Sequence, residues 1–136
     1  MTPELEVLTY ALLLQFLQFF AVVVTSNIQL GVAKTLSPRD RDRLGGPLEE
    51  QLNTRNARLL RALNNHFEGL ILFGLTVAVI SLADKNTGFS AICAWVYLAA
   101  RILYVPAYYF GLVPWRSLIW SAGFLATFAM LLSVFI

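Results

Sequence analysis

The eleven residues from Arg58 to Glu68 read Arg-Leu-Leu-Arg-Ala-Leu-Asn-Asn-His-Phe-Glu and run without a break into Gly69–Ala83, fifteen residues with no charge. Arg58, Arg61, Asn65 and Glu68 recur at i, i+3, i+7 and i+10, which places all of them on one face of a helix. A second set, Arg101, Tyr104 and Tyr108, recurs at i, i+3 and i+7 and shares a face in the same way. A charge inside a bilayer costs several kcal/mol unless it faces protein or water. Two polar faces set in apolar sequence therefore point at each other or at a shared wet cavity. With Arg116 added, guanidinium groups outnumber the carboxylate of Glu68. Such a surplus in a desolvated pocket suits the carboxylates of an anionic ligand. Asn65 offers both donor and acceptor, Tyr104 and Tyr108 offer hydroxyls, and Glu68 can pair a ligand ammonium or orient an arginine. A small anionic or zwitterionic molecule at the membrane interface fits this set. The competing reading is that these charges pair with one another and only fix helix packing. His66 has no second His or Cys at ligand spacing, so no metal site is expected.

Composition says what must carry these residues. The chain has 136 residues, 58% hydrophobic and 13% charged, with a mean hydropathy of +0.68. A soluble domain is nearer ~45–50% apolar and ~25% charged. The chain reads as a membrane protein and, by length, as one domain. Its net charge of +2 is small and its basic residues are not massed into a patch, which argues against a nucleic-acid partner. The single cysteine, Cys93, excludes an intramolecular disulfide; it lies in an apolar run and reads as a small buried hydrophobe.

Four membrane helices are expected, over about 5–33, 54–83, 89–110 and 117–136. Val7–Ala33 is uncharged over 27 residues, more than the span of about 20 that a bilayer needs. It is not read as a signal peptide, because Glu4 and Glu6 precede it and no Lys or Arg does. Thr25, Ser26, Asn27 and Gln29 make its last turns polar, as for a face set against protein. Residues 34–54 form a polar loop broken at Ser37-Pro38 and Gly45-Gly46-Pro47, with a sign-alternating run from Arg39 to Arg43 that reads as solvated. Asn53 or Thr54 caps the second helix. Pro106 is expected to kink the third helix and free a backbone carbonyl. Trp115 and Trp120 look like interfacial anchors at the start of the fourth.

Lys34 to Arg58 holds six basic residues, against Lys85 alone in the opposite loop. The positive-inside rule then puts the first and third loops in the cytoplasm and both termini on the other side. On that topology Glu68 lies about 20 Å along the second helix, and Arg101 lies at a comparable depth on the third.

At these residues the sequence resembles the membrane-associated proteins of eicosanoid and glutathione metabolism, the MAPEG family. Arg61-Ala62-x-x-Asn65-x-x-Glu68, preceded by Arg58, is similar to the signature at the start of that family's second helix. Ala100-Arg101-x-x-Tyr104-x-x-x-Tyr108, followed by Arg116-Ser117, resembles the end of its third helix and the start of its fourth. Four helices and a long first loop agree. The resemblance implies a homotrimer of four-helix protomers with glutathione bound between them, held by Arg58, Arg61, Asn65, Glu68, Arg101, Tyr104 and Tyr108. It implies that Arg116 stabilises the glutathione thiolate, which attacks a lipophilic electrophile arriving through the bilayer. Two departures stand out: Gly69 follows the motif glutamate where the eicosanoid enzymes often have an aromatic, and helix 1 ends without an arginine. The Val105-Pro106-Ala107-Tyr108-Tyr109 context is more like the family's bacterial branch, which would place the chain in a bacterial inner membrane.

The resulting expectation is an all-α integral membrane protein, one domain over 1–136, acting as a glutathione-dependent transferase or peroxidase. Its partners are itself, membrane lipids and a lipophilic small-molecule substrate. A non-enzymatic lipid-binding or scaffold protein of the same fold is the alternative. A small four-helix transporter is a weaker third reading, because such proteins usually carry a carboxylate in the first helix, and none lies between Val7 and Ala33.

Overall fold

The computed structural model describes residues 1–136 and contains only helices. Four are long and apolar enough to cross a membrane. α1 spans Pro3–Leu30. It opens with Thr2 as cap, its hydroxyl accepting from Leu5 N–H (3.4 Å), and with Pro3, Glu4 and Glu6 in the first turn. Those residues suit the unpaired N–H groups and the positive dipole end of a helix start. α1 stops at Gly31, whose φ of 89° an L side chain rarely adopts. The helix expected to reach residue 33 therefore ends three residues earlier. The polar loop is not structureless: it holds three one-turn helices, α2 (Val32–Thr35), α3 (Arg41–Leu44) and α4 (Leu48–Gln51).

α5 covers Thr54–Leu82, capped by Asn53, whose side chain accepts from Asn56 N–H (2.8 Å). α6 covers Gly88–Tyr109, opened by a reciprocal capping box between Thr87 and Ser90. It continues past Pro106, whose ring nitrogen gives the Ile102 carbonyl no donor. The last helix, α7, covers Trp115–Leu132 and tightens into a 3₁₀ turn over Ser133–Phe135.

Residue contacts fix how the helices line up. α1 and α5 are antiparallel: Gln29 accepts from Asn53 N–H (3.0 Å) and Asn56 Nδ2 (2.8 Å) at one end, and His66 Nε2 lies 3.0 Å from Ala11 O further along. The polar last turn of α1 thus faces protein, as its sequence implied. α1 and α6 run in the same direction, with Glu4 against Ser90 and Tyr10 6.1 Å from Trp95. Continuing that register brings Gln15 level with Arg101. The core lies between α1, α5, α6 and α7, around Val7, Ala11, Phe73, Ile80, Ala94 and Met130, with Phe73 and Tyr97 stacked at 3.9 Å. Cys93 is buried in it.

At the end of the bundle that carries the N-terminus, Glu4 is fully buried without a cation. Its Oε1 accepts from Ser90 Oγ and its Oε2 from Asn86 Nδ2 (2.8 Å). The carboxylate thereby ties the first turn of α1 to the first turn of α6, where helix-start N–H groups favour a negative charge. Ser90→Ala leaves that carboxylate short of a donor and breaks the capping box. It should destabilise by about 1–3 kcal/mol, seen as a lower melting temperature of the detergent-purified protein. Asn86→Ala, at a partly exposed position, should lower it less.

Candidate functional site

Arg101 is the residue around which the site is built. It lies on α6, deep in the bundle, and only 4% of it is exposed. Its Nη1 donates to Asn65 Oδ1 on α5 (2.8 Å). Its guanidinium carbon lies 5.4 Å from the centre of the Tyr97 ring and 5.7 Å from that of Tyr104. Aromatic faces stabilise a cation most where water is excluded. Nε is buried with no partner in the chain. The plane of the guanidinium passes so close to Gly69 that a Cβ there would collide with Nη2. The departure from the motif at Gly69 is thus a contact, because any side chain there would meet Arg101.

One turn toward the loop end, Arg61 donates through Nε to Tyr108 Oη (3.0 Å) and through Nη1 to Glu49 Oε1 of α4 (2.6 Å). This is the one ion pair in the chain. Both side chains are about two-fifths exposed, so the pair contributes at most about 1 kcal/mol. The Tyr108 ring also receives Arg116 of α7, 4.8 Å from its centre, and Tyr108 packs edge-on against Tyr104 at 5.5 Å. A cleft of about 370 Å³ opens beside these groups, lined by Asn65, Tyr104, Arg116, Ser117, Trp120 and Ser121. That volume is within the roughly 300–1,000 Å³ usual for small-molecule sites.

The structure thus brings Arg61, Asn65, Arg101, Tyr104, Tyr108 and Arg116 into one continuous contact set across α5, α6 and α7. Two expected members stand apart. Arg58 lies over the α6–α7 turn, where a Cβ on Gly111 would come 2.7 Å from its Nη1. Glu68 is exposed on the outer face of α5 and makes no hydrogen bond or ion pair within the chain. Sequence reasoning missed Glu49 and Ser121, and took in Ser117 only as the neighbour of Arg116 in a motif. Glu49 sits in a segment that read as loop. The serines of α7 lie one turn apart on the face that carries Arg116 onward, a spacing that becomes informative only once Arg116 is placed.

If Gly69 is small in order to hold Arg101, Gly69→Ala must push the guanidinium off Asn65. Overpacking of this kind costs about 1–3 kcal/mol. The expected readout is a lower melting temperature for Gly69→Ala, with Gly69→Ala/Arg101→Ala losing no more than Arg101→Ala alone, because the two changes share one contact.

No curated protein gives a significant match to the chain. The MAPEG family model does, over residues 7–136, and so takes in both polar faces, the turn that carries Arg116 and nearly all of the four spanning helices; the chain belongs to the MAPEG family.

Proposed function

We propose that this protein is a glutathione-dependent transferase or peroxidase acting on lipophilic electrophiles from the bilayer. The observation that carries the reading is the cleft beside Arg101 and Arg116. It has no acidic residue in its lining, and two of its lining residues, Asn65 and Tyr104, contact the buried guanidinium of Arg101, whose Nε has no partner in the chain. Glutathione brings two carboxylates and one ammonium. Arg101, Arg116 and Asn65 supply donors for the carboxylates, and Tyr104 and Tyr108 supply hydroxyls. Glu68, unpaired in the chain, is the acceptor for the ammonium. Arg61 serves the site through Tyr108, since Glu49 already takes one of its donors. A thiol of pKa ~8.5 is mostly protonated at neutral pH, and a cation beside it lowers that value. Arg116 is the cation assigned to this task, and the resulting thiolate is the nucleophile.

The exposure of Glu68 also supports a homotrimer. A carboxylate partway through a membrane helix needs a polar cover, which this chain does not supply; a neighbouring protomer and the ligand between them would. The loop bearing α2–α4 and the start of α7 with Arg116 are assigned to the cytoplasmic side by their excess of basic residues, and the bacterial-branch resemblance assigns the membrane to a bacterium. The alternative is a lipid-binding or scaffold protein of the same fold. It draws on the internal pairs Arg61–Glu49 and Arg101–Asn65, which commit donors that a ligand would use.

Calorimetric titration of glutathione into the detergent-purified oligomer separates the two readings. Saturable binding is expected, weakened about tenfold or more in Arg101→Gln, consistent with loss of a charge-assisted bond. Arg116→Ala should leave binding measurable but remove most of the thiolate absorbance at neutral pH. A folded oligomer that binds no glutathione overturns the enzymatic reading.

A further inference from the structure

Three spanning helices carry buried polar groups without a partner at one level of the bundle. Gln15 of α1 is 6% exposed, and neither its Oε1 nor its Nε2 makes a hydrogen bond in the chain. His66 of α5 is 1% exposed, with Nδ1 unpaired. Arg101 of α6 leaves Nε unpaired. A polar group taken out of water without a partner costs free energy, so native interiors hold few of them.

Contacts on either side fix the level. On the parallel helices α1 and α6, Glu4 meets Ser90 and Tyr10 packs near Trp95, a register that brings Gln15 to Arg101. His66 Nε2 reaches the carbonyl of Ala11, one turn before Gln15 (3.0 Å). Asn65, next to His66, holds Arg101 Nη1 (2.8 Å). Side chains on a helix lean toward its N-terminus. The Gln15 amide and the Arg101 guanidinium therefore lean the same way, toward the layer of Ala11 and His66. The antiparallel register of α1 and α5 puts Ala62, fully buried and small, opposite Gln15.

The donors and acceptors of this layer also match. The Ala11 carbonyl only accepts, so His66 Nε2 carries the ring proton and Nδ1 is an acceptor. Gln15 Oε1 is a second acceptor, and Arg101 Nε–H is a donor. A water has two protons to give and accepts readily, and three bonds are the usual number for a buried one.

We propose that Gln15 is a positioning residue for Arg101. One internal water accepts from Arg101 Nε–H and donates to Gln15 Oε1 and His66 Nδ1. It holds the guanidinium from the α1 side while Asn65 holds it from α5. Gln15 is not part of the cleft lining; it acts on the cleft through Arg101, which contacts the lining residues Asn65 and Tyr104. An amide does this without supplying a counter-ion, so the arginine keeps its charge for an anion. The coupling of Gln15 to Arg101 stands by itself, and its effect on the ligand rests on the glutathione reading of the cleft.

The test is a double-mutant cycle in the detergent-purified full-length protein, with two readouts. Gln15→Met keeps the volume of the side chain and removes the amide; Arg101→Met removes the guanidinium. Gln15→Met should lower the melting temperature in the wild-type background. In the Arg101→Met background it should leave it unchanged or raise it, because orphaning one partner costs more than removing both. Titration of glutathione then separates positioning from packing. Gln15→Met should weaken binding about tenfold, the scale of one hydrogen bond to a charged group. Gln15→Glu keeps an acceptor and should melt above Gln15→Met, yet bind glutathione no better, because its carboxylate neutralises Arg101. Equal melting shifts for Gln15→Met in both backgrounds overturn the proposal. So does a Gln15→Met protein that binds glutathione like wild type. If Gln15→Met gives no folded oligomer, Gln15→Leu takes its place in the cycle. A wild type that binds no glutathione removes the glutathione reading alone, and the melting cycle still decides whether Gln15 holds Arg101.

Discussion

Everything in the upper half of the bundle depends on keeping one guanidinium charged inside it. Arg101 is 4% exposed on a helix that crosses a membrane, and no carboxylate is within ion-pair reach. Its charge is held instead by an amide oxygen and two aromatic faces. Each is a modest interaction, and together they require α5 and α6 at fixed spacing. Asn65 must turn inward from α5, Tyr97 must stack on Phe73, and Gly69 must carry no side chain. A buried ion pair would have neutralised the arginine. This arrangement leaves its charge without a counter-ion, behind Asn65 and Tyr104, which line the cleft.

Much of this was legible in the residues. The lengths of the four apolar runs gave the spans, Asn53 gave the start of α5, and helical spacing put Asn65 with Arg61 and Tyr104 with Arg101. Comparable depth for Glu68 and Arg101 followed from topology, and Arg101 does meet Gly69, the next residue. What was not legible follows from contacts between distant segments. Gly31 ends α1 early through a positive φ that composition does not announce. The one-turn helices of the first loop are too short for any periodicity to register. Glu68 shares a helix face with Arg61, about 20° away around the axis and two turns further along; Arg61 reaches Tyr108 and Glu49 of the first loop, whereas nothing in the chain reaches Glu68. Gly69 read as a gap in a motif, whereas its smallness is a contact.

The two ends of the molecule handle polar groups in opposite ways. At the end carrying Glu4, the carboxylate has its oxygens filled by Ser90 and Asn86, so the polar cluster is closed and its work is structural. At the loop end, donors are in surplus: Arg101 Nε, Ser26 Oγ and the Nη groups of Arg39 are not matched by acceptors in the chain. Closed networks rigidify a fold. Buried groups without a partner also occur elsewhere, at Ser81, Tyr97, Gln15, Gln18 and His66, but the guanidinium donors left over lie toward the loop end.

The same reasoning extends to the outer surface. Only 34 of 136 residues are buried, and the exposed faces of α1 and α5 are lined with residues such as Leu13, Phe16, Leu17, Ile71 and Leu75. Apolar exposure alone does not separate lipid contact from protomer contact, because hydrocarbon and leucine are equally apolar. Glu68 breaks that symmetry. Facing acyl chains it would bear a desolvation cost of several kcal/mol with nothing to offset it. Facing a second protomer across a polar ligand, it would complete a site whose cationic half is already assembled around Arg101 and Arg116. Within one chain, Glu68 is the carboxylate of the spanning helices left without a partner, whereas Glu4 and Glu6 each accept a hydrogen bond.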